Sequence, residues 1–216
     1  MKTTVFHGHQ MKIGACDSYE RVIAVEVPTL SAYAVECGDF TPIDVDSGHR
    51  LLSLGADFDI EVDQAKFRSG FSLKFSSIES CRLVIHYYGI RDYKRLFPMI
   101  TDLHLRTRLG QFYEEAERTF EDGSWLAFAL MASAVYEGLL GWKLNSPSLN
   151  FASLIDAAGE QGLIQSQEAR ILHAAREQRN LVHASRFETP WVDRADAMDM
   201  RTTMDSLLRK LARTVR

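Results

Sequence analysis

The hydrophobic pattern of this 216-residue chain changes period once, and that change limits the available folds more than any other feature. Before about residue 100 the apolar residues recur at period two, the spacing of a half-buried strand. Asp57-Phe58-Asp59-Ile60-Glu61-Val62-Asp63 alternates in this way, and so does Phe71-Ser72-Leu73-Lys74-Phe75. Cys81 to Tyr88 is rich in β-branched and aromatic residues and is expected to end at Gly89. Arg21 to Val27 reads as a further strand, stopped by Pro28. Gly38-Asp39, Asp46-Ser47-Gly48 and Ser69-Gly70 have the chemistry of turns.

From about Arg106 the period is helical. Residues 106–121 read as a charged amphipathic helix that Asp122-Gly123 breaks. Ser124 is the expected N-cap of a second helix over residues 125–144, apolar nearly all round, which suits the centre of a bundle. Asn145-Ser146-Pro147 stops it. Further helices are expected over residues 150–160, 165–186 and 192–214, with Thr189-Pro190 separating the last two. The fold class is therefore α+β. A β-rich domain over residues 1–104 precedes an antiparallel helical bundle over residues 105–216.

Composition narrows the function classes. Charged residues make up 25% and hydrophobic residues 46%, which excludes a disordered chain. The net charge of -4 argues against a bulk nucleic-acid coat protein but leaves room for a local basic patch. No apolar run approaches the roughly 20 residues that span a bilayer, and the first residues lack the apolar run of a secretory signal. No membrane association is expected. Cys16, Cys37 and Cys81 are odd in number and widely separated, which favours a reducing, cytoplasmic setting over a disulfide framework or a thiolate metal site.

The fourth helix carries the chemistry. With each residue advancing by about 100° and Arg176 set at zero, Arg179 lies near -60°, Asn180 near +40° and His183 near -20°. His173 and Arg186 fall just outside that arc. Ile171, Ala174, Ala175, Leu181 and Val182 fall opposite, with Leu172 misplaced among the polar group and Gln178 among the apolar one. The expectation is a core stripe and, facing away from it, a cluster of Arg, Arg, Asn and His. A solvated polar face is the plain alternative. Arginine matches the planar geometry of phosphate, and histidine is the usual general base near neutral pH. Asparagine can fix a phosphate oxygen or a ribose hydroxyl. RNA supplies its own nucleophile, the 2'-hydroxyl, so this chemistry requires no metal and no cofactor.

Arg176-Glu177-Gln178-Arg179-Asn180-Leu181-Val182-His183 resembles the signature of the HEPN superfamily, an Arg followed after four to six residues by a His near the end of a bundle helix. Arg176 and His183 have six residues between them and fit; Arg179 and His183 have three and fall short. The helices before the motif, around Phe112 to Ala116, Tyr136 to Leu140 and Leu163-Ile164, follow the family layout, so the resemblance covers residues 105–216. It implies a metal-independent endoribonuclease, commonly a homodimer with the motifs of both subunits in one cleft. It also implies toxin–antitoxin systems, phage defence or RNA processing as the setting, with an antitoxin or defence partner. Ser185 stands where members regulated by nucleotidyltransferase antitoxins often have a modified Tyr. Some members bind without cleaving, so a non-catalytic nucleotide-, RNA- or partner-binding module is the alternative, and a purely structural dimerisation bundle the third reading. The expected catalytic group is Arg176, Arg179, Asn180 and His183, with Arg186 and His173 contacting substrate.

Other residues admit two readings each. Glu137, in the most apolar helix, either reaches solvent at the bundle edge or pairs with Arg176 or Arg179 and orients it. His7, His9 and His49 are metal ligands by type, but no spacing of acidic or thiol ligands supports them. Phe67, Phe71, Phe75, Tyr87 and Tyr88 suit a base-stacking platform by type but a strand core by spacing. Residues 201–216 carry Arg201, Arg209, Lys210, Arg213 and Arg216 against Asp205, a charge that either steers RNA or complements a helix C-terminus.

Overall fold

Alternation of inward and outward side chains builds the N-terminal unit. The computed structural model describes residues 1–13, 22–41, 58–68 and 81–212, in two units, Met1–Pro98 and Met99–Arg216. In the first, β1 (Lys2–His7), β2 (Lys12–Ile13), β3 (Val22–Glu26), β4 (Tyr33–Thr41), β5 (Phe58–Glu61), β6 (Gln64–Arg68) and β7 (Arg82–Ile90) form two antiparallel sheets. Their orders are β1-β7-β4 and β2-β3-β6-β5. Leu83 and Ile85 of β7 are buried, whereas Arg82 between the same sheet neighbours is exposed. On β6, Ala65 and Phe67 face inward. Phe40 of one sheet stacks on Phe67 of the other at 5.5 Å, so both sheets contribute to one core.

Several local expectations change here. β7 continues through Gly89 to Ile90. Gly38 and Asp39 are not a turn but lie within β4, paired with Ile85 and Val84 of β7. The ladder supplies the missing support: a strand paired along its length tolerates a residue of poor intrinsic preference. Phe67 is core, and Tyr87 packs edge-on against Tyr33 at 4.9 Å; Tyr88 alone of the described aromatics proposed as a platform is exposed. The segment 71–75, Cys16 and His49 lie outside the described residues. Cys37 is a free thiol, and burial pushes the Cys81 thiol up.

The second unit comprises α1 (Leu103–Glu121), α2 (Trp125–Lys143), α3 (Phe151–Glu160), α4 (Ser166–Gln178) and α5 (Arg194–Ala212). Asp102 caps α1 by accepting from the amides of His104 and Leu105, which hold its carboxyl below the usual range. Gly123, at φ +71°, closes the α1–α2 turn in the left-handed region that glycine tolerates. Ser124 precedes α2 as expected, but its hydroxyl makes no capping bond. Asn150 caps α3.

α2 packs against all four other helices. By length and composition it could cross a bilayer, contrary to the expectation that no apolar run is long enough; half of it is buried within the bundle. A Cβ on Gly138 would lie 2.6 Å from Leu109 Cδ2, so α1 and α2 approach closely there. Polar ties fix the register around this centre. The Tyr136 hydroxyl donates to the Met200 carbonyl of α5, and the Ser133 hydroxyl to the Ala175 carbonyl of α4 at 3.3 Å. Tyr113 donates to Asp205 at 3.0 Å. Arg201 pairs with buried Glu117 at 2.8 Å and lies 4.4 Å from the Phe120 ring centroid. Lys210 holds Glu168 at 2.6 Å. Of the basic residues of this C-terminal stretch that the structure describes, Arg201 and Lys210 are thus tied to other helices of the bundle, whereas Arg209 is exposed and donates to the Asp205 carbonyl of its own helix at 3.1 Å.

Candidate active site

The end of α4 departs from the helix expected over residues 165–186. The helix stops at Gln178, a 3-10 turn covers Arg179–Val182, His183 is extended at φ -87° and ψ 120°, and a second 3-10 turn covers Ala184–Arg186. The helical wheel drawn through His183 therefore does not apply. Packing explains the break. The buried line of α4 runs through Leu172 and Ala175, while Ala174 is exposed. Counted from Leu172 at about 100° per residue, a continued helix would set His183 within about 20° of that line and Arg186 within about 40°. It would also turn Leu181 about 180° away, toward water. Tightening to a 3-10 turn lets Leu181 in, to 8% exposure, and leaves His183 and Arg186 exposed. Burying a leucine is worth about 1.5–3 kcal/mol, against which two buried cationic or polar groups would only cost.

The polar cluster also lies on a different side from the expected one. Arg176 and Arg179 do not face away from the bundle; both are half-buried and adjoin Leu172 and Ala175. Arg179, the residue that caps the C-terminus of α4, donates from Nη1 to Glu137 Oε2 of α2 at 2.7 Å. Its guanidinium carbon lies 5.9 Å from the ring centroid of Phe151, the buried first residue of α3. Three helices therefore fix this one side chain. Both readings open for Glu137 are met: its side chain is 38% exposed to solvent and it pairs with Arg179.

The remaining candidates are held differently. Arg176 Nη2 bonds its neighbour Glu177, while its Nε is buried without an acceptor among the described residues. His173 Nε2 lies 3.2 Å from Asp156 Oδ1 of α3. Asn180 is half-buried, and its carbonyl accepts from the His183 amide at 3.1 Å. The His183 carbonyl in turn accepts from the Arg186 amide at 2.9 Å. The His183 ring and the Arg186 guanidinium make no hydrogen bond to the described residues. His7 and His9 stack ring on ring at 5.9 Å; no group of three or more metal-ligating side chains occurs among the described residues.

Phe151 and Asp156 are the neighbours that sequence reasoning missed. Both belong to α3, and no local spacing links α3 to the end of α4. Chemically, the arrangement offers one braced guanidinium, a second with an unused donor, and an exposed imidazole four residues beyond the first. No protein-family profile, curated protein or solved structure matches this chain.

Proposed function

We propose that the helical unit is a metal-independent endoribonuclease of the HEPN type that cuts single-stranded RNA to a 2',3'-cyclic phosphate and a 5'-hydroxyl. The observation that carries this reading is the Arg179–Glu137 pair: a guanidinium held at the end of a helix, four residues before an exposed imidazole that nothing described engages. In this reading His183 takes the proton from a 2'-hydroxyl, that oxygen attacks the adjacent phosphorus, the bond from phosphorus to the 5'-oxygen breaks, and the departing oxygen takes a proton from water to become the 5'-hydroxyl. Arg179 and Arg176 hold the phosphate and stabilise the charge that develops on it. Asn180 orients the ribose, Arg186 and His173 contact flanking RNA, and Glu137 positions Arg179. A homodimer acting in the cytoplasm, in phage defence, a toxin–antitoxin system or RNA processing, is the setting this mechanism fits.

Incubation of purified protein with single-stranded RNA in EDTA tests the proposal, with the 3' ends of the products analysed for cyclic phosphate. Loss of a general base costs about 10²- to 10⁴-fold, so His183→Ala should lose most cleavage while its helical content is unchanged. Full activity in that variant would refute the assignment. Binding of RNA with no cleavage by the unaltered protein would make the unit a binding module.

A further inference from the structure

Beside the candidate site, residues 182–191 form ten consecutive exposed positions. Phe187 is 82% exposed and Trp191 65% exposed, more than any other described aromatics in the helical unit. One exposed aromatic is ordinary on a protein surface; here two stand four residues apart in one exposed strip. The strip is nevertheless tied to the bundle at both ends and to itself between them. Leu181 anchors one end at 8% exposure and Val192 the other at 2%. Between them the His183 amide donates to Asn180, the Arg186 amide to His183 and the Thr189 amide to Arg186, at 3.1, 2.9 and 2.9 Å. Pro190 removes a further backbone freedom next to Trp191.

We propose that this strip seats the nucleobases of single-stranded RNA, with Phe187 and Trp191 stacking on bases that flank the bond cut at His183. The inference rests on the ribonuclease reading for its ligand and adds the residues that would recognise it. Its chemistry separates RNA from a second copy of the chain as occupant. Protein interfaces bury their apolar residues in a core depleted of charge. Here the aromatics are interleaved with His183, Ser185, Arg186, Glu188 and Thr189, and Val182 is the lone exposed large aliphatic. Aromatic rings beside an unengaged guanidinium, here that of Arg186, are a combination that holds single strands: rings take the base faces, and the cation takes the backbone. Stacking is indifferent to base identity, so the strip implies weak sequence preference.

The test uses the full chain carrying His183→Ala, so that binding is measured without cleavage, and a fluorescent ten-nucleotide oligouridylate. Alanine at a stacking aromatic costs about 1–3 kcal/mol, which is about a 5- to 150-fold weaker Kd. Phe187→Ala and Trp191→Ala should each show that loss. Phe187→Leu should not recover it, whereas Trp191→Phe should recover most of it. An abasic oligomer of the same length should bind all of these proteins alike, because it offers phosphates and no bases. Unchanged oligouridylate affinity in both alanine variants, or no binding by the parent, overturns the proposal. So does dissociation of a dimer in those variants with RNA affinity intact, which would make the strip a protein interface. RNA binding that needs Phe187 and Trp191 without any cleavage by the native chain would uphold the strip and sink the nuclease. Cleavage that needs His183 and ignores both aromatics would do the reverse.

Discussion

Arg179 stands at the centre of the candidate site because three helices meet at its guanidinium. One nitrogen is held by Glu137 and the carbon lies near the Phe151 ring, so the planar fork has little freedom left to lose on binding phosphate. The pair is about 38% exposed on both sides, and such pairs contribute only about 0–1 kcal/mol to stability. On the proposed ribonuclease reading its value is positional. Glu137→Ala is therefore expected to slow RNA cleavage by about 10- to 100-fold, the scale of a misplaced catalytic group, while the melting temperature barely moves. Glu137→Gln, which keeps an acceptor, should fall between. Single-turnover cleavage alongside thermal melts checks this, and an unaltered rate in Glu137→Ala removes Glu137 from the mechanism. Tyr136, one residue earlier, has the opposite character. It is fully buried, its hydroxyl is spent on the Met200 carbonyl, and burial together with the nearby Asp205 and Glu168 carboxylates pushes its pKa well up. It is a structural group although it ionises by type.

At the scale of elements, the exit of the chain from α4 decides what the site looks like. An α-helix that ran on to Arg186 would have carried His183 inward; the 3-10 turn exists because Leu181 is the next residue able to extend the buried surface. Leu181→Ala removes that reason. Leucine-to-alanine changes at buried sites cost about 2–5 kcal/mol, and the lower half of that range is expected here because Leu181 keeps 8% exposure. The same substitution should also depress cleavage, since it frees the anchor that precedes His183. Urea unfolding followed by tryptophan fluorescence reads the first effect cleanly: Trp125, Trp142 and Trp191 all lie in the helical unit. A stability loss with cleavage untouched would show that the anchor does not place the imidazole. The sheets of the N-terminal unit teach the same lesson from the other side. Gly38-Asp39 has turn chemistry, yet seven registered partners between β4 and β7 hold it extended.

Across the helical unit as a whole, two carboxylates oppose each other in their response to pH. Burial pushes Glu168 up, but the Gln165 amide, Lys210 and Ser206 outweigh it and hold the group below its ordinary value. Its stabilising effect is thus present above the ordinary Glu range and is lost as pH falls through the lowered folded value. Burial raises Asp205 despite the Tyr113 hydroxyl and the Arg209 and Arg201 charges. Its contribution is present below the ordinary Asp range and is lost as pH rises through the raised folded value. Glu168→Gln should therefore unfold at lower urea than the native chain at pH 7, and the gap should close in acid. Asp205→Asn should match or exceed the native chain at pH 7 and lose that margin in acid. Urea titrations at neutral and acid pH decide both, and a gap that widens on acidification for Glu168→Gln would contradict the sign. The sequence by itself determined the α+β class, the order of sheets before helices, the central place of α2 and the segment that bears the Arg and His residues. Periodicity and turn chemistry are local, and those features depend on little else. Only the tertiary structure decided which side of α4 is buried, where that helix ends, and which acid meets Arg179. Each of these is settled by competition between contacts from helices distant in the chain, and no local pattern records the outcome.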